Sequence, residues 1–179
     1  MTVINETATL LASLRGVWDE EAVDELDHAL QSAARAIADG ADDELVLAAA
    51  LHDLAHSPLF DASAATRHDT TAREWLTPRF GTRVGWLAGA HVAAKRYLVA
   101  TDATYGTTLT ATSVASLHAQ GGADIDTALL ENPWWPDALR LRRYDDAAKI
   151  PGARGATIGD VLTIADRVMR QRESRQGER

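Results

Sequence analysis

A histidine and an aspartate stand side by side after an apolar run, and they are the residues of this chain most suited to chemistry. The apolar run covers residues 45–51, and His52-Asp53-Leu54-Ala55-His56 follows it directly. Burying an imidazole beside a carboxylate is unfavourable unless the two are paired or hold a metal ion. The pentapeptide therefore predicts a metal site at the end of a buried helix, and other parts of the chain must supply the remaining ligands.

The remaining candidate ligands are histidines and late aspartates. Imidazole and carboxylate groups together suit iron, manganese, zinc or nickel, and the absence of cysteine excludes thiolate ligands. Because a carboxylate can bridge two ions with its two oxygens, Asp53 is a candidate bridge. A single histidine on an apolar helix face is more often a core residue than a ligand, so only the whole set indicates a metal centre. That set comprises His28, His52, Asp53, His68, His91 and either Asp145 or Asp146.

Composition limits the class of protein. The 179 residues suit one domain with a substantial core, and 46% hydrophobic residues are ordinary for a globular protein. The net charge of -8 argues against a nucleic-acid partner. The first residues lack the basic and apolar regions of a signal peptide, and no apolar run approaches the roughly 18 residues of a membrane span. We therefore expect a cytoplasmic protein that binds neither nucleic acid nor membrane, and the absence of cysteine fits a reducing compartment.

Helical periodicity predicts an all-α protein, because alanine is abundant and few β-branched residues alternate with period two. We expect a single domain over residues 1–179. Gly40 is expected to end a helix, Thr157 and Asp160 to form a capping box, and the tail from residue 171 to fray. The predicted helices cover residues 4–14, 21–38, 43–56, 67–79, 82–99, 123–131 and 157–171, with a short helix opened by Thr110 and another after residues 133–136.

The order of the candidate ligands resembles that of the HD-domain superfamily, an all-helical metal-binding fold. Further stretches are similar to one branch of it, the mixed-valent di-iron oxygenases that cleave 1-hydroxyphosphonates with 2-amino or 2-trimethylammonio substituents. These stretches are residues 26–33, 91–98, 113–117, 120–122 and 141–149. The resemblance covers about residues 17–155. It implies a single HD-domain helical bundle, with two iron ions as cofactors and O2 as a co-substrate.

The resemblance also implies how the ligands are divided between the two irons. One iron is expected on His28, His52 and Asp145, the other on His68 and His91, with Asp53 as the bridge. Asp146 stays open as an alternative to Asp145. The resemblance favours Asp145, because the enzymes of this branch have a lysine one helical turn after the aspartate ligand, and Lys149 lies four residues after Asp145 on the same predicted helix.

Several polar residues match the positions that bind the substrate's phosphonate in this branch. They are His56, Lys95, Ser113, Gln120 and Arg142. Lys95 lies four residues after His91, so the two share a helix face and the ammonium can reach an anion at the metal. Arg142 offers a planar fork of donors to the same anion. Among the residues of the centre, Asp53, His56 and Lys95 are expected to act in catalysis.

One departure from the branch concerns the far end of the substrate. Trp18 stands where these enzymes have a tyrosine that occupies an iron position until substrate arrives, and Glu21 is kept. An indole has only an N–H donor and cannot ligate iron as a phenolate does. Trp18 and Glu21 are therefore expected to contact the substrate, and a tryptophan suits a quaternary ammonium through a cation–π contact. A simple hydrophobic anchor is the alternative for Trp18.

The implied reaction is an oxidative cleavage of the C–P bond that yields inorganic phosphate and a carboxylate such as glycine or its betaine. Two alternatives remain open. An HD-type metal-dependent phosphohydrolase acting on a phosphate monoester or nucleotide needs only His52, Asp53 and a late aspartate. A non-catalytic ligand-binding module is the other alternative, and the completeness of the ligand set argues against it. The extra histidines and the Lys95 motif favour the oxygenase.

Overall fold

A computed structural model describes residues 2–18, 22–61 and 63–177 of the chain. Within these ranges the protein is a bundle of α-helices without a strand, which confirms the predicted all-α fold. The helices are α1 (Val3–Ser13), α2 (Glu25–Ala38), α3 (Asp43–Leu51), α4 (His68–Phe80), α5 (Thr82–Thr101), α6 (Ala111–Ala119), α7 (Thr127–Leu130), α8 (Trp135–Ala147) and α9 (Ile158–Gly177). None of them is both long and apolar enough to cross a membrane.

Helix α3 is the centre of the bundle. Every residue from Leu45 to Leu51 is buried, and the helix packs against α2, α5, α8 and α9. A helix that is apolar on all sides is stable only when other elements surround it. The C-terminal end of α3 therefore delivers His52 directly into the interior, where its side chain is almost fully buried.

Local signals set several helix ends as expected. The Asp42 carboxylate accepts a hydrogen bond of 2.9 Å from the Leu45 N–H at the start of α3. Gly40 follows α2 with a φ of 68°, the left-handed conformation that favours glycine. At the start of α9, the Thr157 N–H donates to Asp160 and the Asp160 N–H donates to the Thr157 hydroxyl, so the predicted capping box is confirmed.

The helix predicted over residues 43–56 is interrupted, and this boundary matters for the site. Helix α3 ends at Leu51, and Asp53 has φ -104° and ψ 16°, outside the α-helical region. The chain then makes a separate 3-10 turn over Leu54–His56. The break turns the Asp53 carboxylate away from the direction it would take on a continuous helix, toward the neighbouring histidines.

Other predicted boundaries were also wrong. Helix α2 begins at Glu25 rather than residue 21, because Asp24 is its N-cap. The helix predicted over residues 123–131 is reduced to α7. The tail does not fray at residue 171, since α9 continues to Gly177. Arg172 contributes to this extension by donating a 2.6 Å hydrogen bond to the Arg79 carbonyl at the end of α4.

Helices α4 and α5 form a tight antiparallel hairpin that brings two predicted ligands together. A Cβ on Gly85 would lie 3.0 Å from the Arg73 carbonyl oxygen and 2.1 Å from the Thr77 hydroxyl. A Cβ on Gly89, one turn later, would lie 3.0 Å from the Arg73 Cβ. Small residues at these two positions allow α4 to lie directly on α5. Close packing of the pair places His68 opposite His91.

We expect the substitution Gly85→Ala to destabilise the protein by about 1–2 kcal/mol. Overpacking against the Arg73 backbone costs roughly 1–3 kcal/mol, and the better helix propensity of alanine offsets up to about 1 kcal/mol. Thermal unfolding of the metal-free protein measures the change. Gly159→Ala in α9 is the matched control, because its nearest contact would be an ordinary 3.6 Å. Equal stability of Gly85→Ala and the wild type would contradict the close approach of α4 and α5.

Candidate metal centre

Six side chains from five parts of the fold converge at the inner end of α3. They are His28 of α2, His52 and Asp53 at and after the end of α3, His68 at the start of α4, His91 in the middle of α5 and Asp145 in the last turn of α8. The structure thus brings together every residue that the sequence predicts as a ligand. The six side chains therefore come together only when all of these parts of the fold pack against one another.

The two oxygens of Asp53 face two different pairs of histidines. Oδ2 lies 3.0 Å from Nε2 of His52 and 3.5 Å from Nε2 of His28. Oδ1 lies 3.4 Å from Nε2 of His91 and 3.7 Å from Nε2 of His68. Oδ1 is buried and has no hydrogen-bond partner within the described residues. This is the arrangement that a carboxylate bridging two ions requires.

Asp145 faces only the first histidine pair. Its Oδ1 lies 3.4 Å from Nε2 of His28, and its Oδ2 lies 3.5 Å from Nε2 of His52. One side of the centre therefore offers two imidazoles and three oxygens from two carboxylates. The other side offers the imidazoles of His68 and His91 and the second oxygen of Asp53.

All four imidazoles are oriented by backbone carbonyls, as is usual for histidines that bind metals. The Nδ1–H groups of His28, His52, His68 and His91 donate to the carbonyls of Ala148, Ala49, Ala65 and Ala88, respectively. A carbonyl only accepts, so each Nδ1 carries a proton, and each Nε2 points inward, where it can bind a second proton or, once deprotonated, a metal ion. The Nε2 atoms of His28 and His52 are 3.4 Å apart, and those of His68 and His91 are 3.1 Å apart. Two nitrogen lone pairs at such distances repel each other unless a cation, either a proton or a metal ion, lies between them.

The donor spacings fit metal coordination. Two donors that are each about 2.1 Å from one ion lie about 3.0 Å apart at a right angle and about 4.2 Å apart on opposite sides. The distances between donors on each side of this centre run from 3.0 to 3.7 Å, inside that range. The set contains nitrogen and oxygen but no sulfur, which suits iron, manganese or zinc. These residues therefore fit a metal cofactor.

The electrostatics of the cluster also favour cations. Burial raises the pKa of Asp53, but the charge of His52 outweighs it and holds that pKa well below its ordinary value. Burial lowers the pKa of His52, but the Asp53 and Asp145 carboxylates raise it to about 9. The pKa of His91 is instead lowered well below its ordinary value by burial. In the metal-free protein, protons on the first histidine pair thus take the place of bound positive charge.

A cavity of about 40 Å³ opens on the side of the centre away from α2. Its walls are formed by Asp53, His56, His68, His91, Lys95, Ser113, Ser116, Gln120, Arg142, Asp145 and Lys149. Three of these side chains are buried cations, namely Lys95, Arg142 and Lys149. Burial and the charge of Arg142 lower the pKa of Lys95 to about 8. The protein has a net charge of -8, yet three cationic side chains lie in this one small cavity. This arrangement favours the binding of an anion.

Helix α6 supplies hydroxyl groups to these cations. The Lys95 ammonium donates a 2.8 Å hydrogen bond to the Ser116 hydroxyl, and the Lys149 ammonium donates a 2.9 Å hydrogen bond to the Ser113 hydroxyl. Ser116 and Lys149 were not among the predicted substrate contacts. The spacing of Ser116, three residues after Ser113 and thus on the same face, is the signal that could have identified it. The prediction that Lys149 lies on the same helix as Asp145 was wrong, because α8 ends at Ala147 and Lys149 follows it in the loop.

Most of the predicted substrate contacts line the cavity. His56 lies there, with its Nε2 4.0 Å from Asp53 Oδ1. The Gln120 side-chain oxygen is buried and lacks a hydrogen-bond partner within the described ranges, so it could accept a hydrogen bond from a donor group of a ligand. Trp18 is not in the cavity wall, and its side chain is 65% exposed. Glu21 lies outside the residues that the structure describes.

The contacts of Asp145 and Asp146 show which of the two carboxylates faces the histidines. Asp145 faces the imidazoles of His28 and His52. Asp146 instead accepts a 2.6 Å hydrogen bond from the Tyr105 hydroxyl and pairs with Arg142. Successive residues on a helix point about 100° apart, so only one of two adjacent carboxylates can enter the centre. Asp145 is the one that does.

We expect Asp145→Asn to lower the metal content of the purified protein, because the first histidine pair would lose its terminal anionic donor. Asp146→Asn is the matched neighbour and should retain metal at the wild-type level. Elemental analysis of protein loaded with Fe(II) under anaerobic conditions and then desalted measures both. Equal losses in the two variants would contradict the assignment of Asp145 as the donor.

Comparison with known proteins gives the site a context. No family model matches the chain. The chain is 36% identical over 145 residues to the hydroxymethylphosphonate dioxygenase of Gimesia maris, an alignment that covers 75% of this chain and 72% of the relative. It is 32% identical over 138 residues to the glycine-betaine-forming [1-hydroxy-2-(trimethylamino)ethyl]phosphonate dioxygenase of Leisingera caerulea, covering 72% of this chain and 70% of that protein.

Proposed function

This chain belongs to the family of phosphonate dioxygenases that these two relatives represent, and we propose that it is an O2-dependent di-iron oxygenase that cleaves the C–P bond of a 1-hydroxyphosphonate. The observation that carries the proposal is the combination of two donor sets sharing Asp53 with a cavity lined by three buried cations. The donor sets suit two metal ions, and the cations suit a phosphonate dianion beside them.

The proposal assigns a role to each ligand. His28, His52 and Asp145 would hold one iron, His68 and His91 the other, and Asp53 would bridge the two. The iron centre would supply the activation of O2, and the substrate would coordinate it through its hydroxyl and phosphonate oxygens. The carbonyl contacts of the four imidazoles orient the rings and hold a proton on Nδ1, which leaves Nε2 as the atom that would bind iron.

The residues of the cavity would bind and orient the phosphonate. Lys95 and Arg142 would neutralise its charge. Ser113 would donate a hydrogen bond from its hydroxyl and Gln120 from its amide NH2, and His56 would lie near the substrate rather than on the metal. Lys95 and Arg142 are each only 3% exposed, so their charges act in a medium from which bulk water is largely excluded. Tight placement of the phosphonate fixes the position of the hydroxyl-bearing carbon relative to the metal centre.

The proposed reaction balances without an external reductant. A 1-hydroxyphosphonate gains two oxygen atoms from one O2, the C–P bond breaks, and the products are a carboxylate, inorganic phosphate and one proton. A carbon leaving group makes hydrolysis of a phosphonate far harder than hydrolysis of a phosphate ester. An oxidative route through the carbinol carbon avoids that leaving group.

The substrate's far end would meet Trp18 and Glu21. The exposed indole of Trp18 lies apart from the cavity wall, so it is available to a substituent that extends outward rather than to a metal ion. The small cavity itself suits a compact head group. A panel of hydroxymethylphosphonate and the 2-amino- and 2-trimethylammonio-1-hydroxyethyl analogues would determine which substituent the protein prefers. We expect Trp18→Ala to weaken turnover of the trimethylammonio compound selectively.

The deciding experiment is reconstitution with Fe(II) in the absence of air, followed by controlled addition of O2. We expect an electron paramagnetic resonance signal of a mixed-valent di-iron centre and O2-dependent release of phosphate from at least one compound of the panel. Matched anaerobic samples and a phosphate monoester serve as controls. Phosphate release from the monoester without O2, together with an inert panel, would favour a phosphohydrolase and overturn the proposal.

A further inference from the structure

A buried tyrosine lies behind the phosphonate cavity. Tyr105 begins the 3-10 turn Tyr105–Thr108, between α5 and α6, and is only 6% exposed. Its hydroxyl accepts a 2.9 Å hydrogen bond from Nε of Arg142 and donates a 2.6 Å hydrogen bond to Oδ2 of Asp146. Burial raises the pKa of Tyr105, so the phenol keeps its proton and can donate and accept at the same time.

The guanidinium of Arg142 is held on three sides. Besides the Tyr105 contact, Nη1 donates a 2.5 Å hydrogen bond to Oδ2 of Asp145, and Nη2 pairs with Oδ1 of Asp146. A guanidinium has five N–H donors, so two are left for a ligand. Arg142 is also part of the cavity wall, so its guanidinium contacts both the carboxylate proposed to bind metal and the space proposed for an anion.

We propose that Tyr105 and Asp146 are positioning residues that hold the Arg142 guanidinium between Asp145 and the phosphonate. Neither residue lines the cavity, so each acts through Arg142. The inference rests on the proposed function, in which the cavity binds a phosphonate. It gives a role to Tyr105, which no sequence pattern indicates, and it gives Asp146 a role other than that of a metal ligand, although the two residues are 41 positions apart in the chain.

Removing the phenolic hydroxyl would leave two partners unsatisfied, the buried Arg142 and the partly exposed Asp146. Nε of Arg142 would lose its acceptor, and Oδ2 of Asp146 would lose its donor. Hydrogen bonds to charged groups are worth enough to change affinity by about tenfold or more. The guanidinium would then settle closer to Asp146, and its remaining donors would no longer point at the ligand. The expected loss falls on anion binding rather than on metal binding.

The test compares Tyr105→Phe with Tyr144→Phe in the iron-loaded protein. Tyr144 also donates a hydrogen bond to a carboxylate, that of Asp39, but on the outer side of α8, so the two variants lose the same chemistry at different places. We expect the dissociation constant of inorganic phosphate, measured by calorimetry, and the KM of the phosphonate to rise about tenfold in Tyr105→Phe, with a smaller change in kcat and unchanged iron content. Tyr144→Phe should keep the wild-type values. Asp146→Asn should resemble Tyr105→Phe.

A double-mutant cycle separates positioning from a general structural effect. In an Arg142→Ala background, Tyr105→Phe should have no further effect on phosphate binding. The inference is overturned by an unchanged phosphate affinity in Tyr105→Phe, or by the same loss in the Arg142→Ala background. Weakened phosphate binding in a protein that turns over no phosphonate would instead uphold the positioning role and contradict the proposed reaction.

Discussion

The substitution Asp53→Asn is expected to lower activity by more than about 100-fold and to reduce the bound iron. Loss of a residue that merely orients a ligand typically costs 10–100-fold in metal affinity or activity, and Asp53 would be a ligand shared by both ions. Asparagine keeps the shape but replaces one donor oxygen with an NH2 group. Because Oδ1 and Oδ2 face different histidine pairs, either orientation of the amide deprives one pair of its carboxylate oxygen.

Iron analysis and electron paramagnetic resonance of Asp53→Asn, alongside phosphate release, check this expectation. Asp166→Asn is the matched control, because Asp166 lies on the exposed face of α9 and pairs only with Arg170 among the described contacts. The control should keep both iron and activity. A variant Asp53→Asn that retains two irons and the wild-type mixed-valent signal would show that Asp53 is not the bridge.

The substitution Lys95→Met is expected to reduce kcat/KM for the phosphonate by about 100-fold while leaving the iron content unchanged. Methionine fills a similar volume without charge, and hydrogen bonds to ionised groups in a buried site are worth about 1.5–3 kcal/mol each. Lys95 donates to Ser116 and lies in the cavity but is not a metal donor. The loss should therefore appear mainly as a higher KM and a higher dissociation constant for inorganic phosphate.

Lys95 also predicts a pH dependence. Since its pKa is lowered to about 8, the ammonium is present below that pH and is lost as the pH rises through it. We expect the KM of the iron-loaded wild type to rise between about pH 8 and pH 9, and the KM of Lys95→Met to stay flat over the same range. Arg143→Met, which removes an exposed cation of α8, should keep the wild-type pH profile. An identical rise in Lys95→Met would assign the titration to another group.

The residues that line the cavity show which parts of the site can be predicted from residue types and spacing. Lys95 and Arg142 were expected at the phosphonate because they match the phosphonate-binding positions of the branch that the chain resembles, and their helical spacing places them near His91 and Asp145. Ser116 was missed although it lies one turn from Ser113. Tyr105 carries no local signal at all, because it lies in an irregular segment and meets Arg142 only through the packing of the turn against α8.

The end of α3 is a second feature that the sequence predicted only in part. The apolar run from Leu45 to Leu51 predicts a buried helix and therefore a buried His52. It also predicts that the helix continues through His56, whereas the chain leaves the helical conformation at Asp53. Helix propensity is a local property, while the position of this break depends on the histidines and helices that surround the carboxylate.

The all-α fold and the candidate metal donors, apart from the choice between Asp145 and Asp146, could be predicted from the sequence, because ligand chemistry resides in side-chain types and helical periodicity resides in their spacing. The tertiary structure decided which oxygen of Asp53 faces which histidine pair, which of Asp145 and Asp146 enters the centre, and which cations line the cavity. These choices depend on the relative rotation of helices packed around α3. Such rotation is set by contacts between residues far apart in the chain, such as the close approach of α4 to Gly85, and no local pattern encodes it.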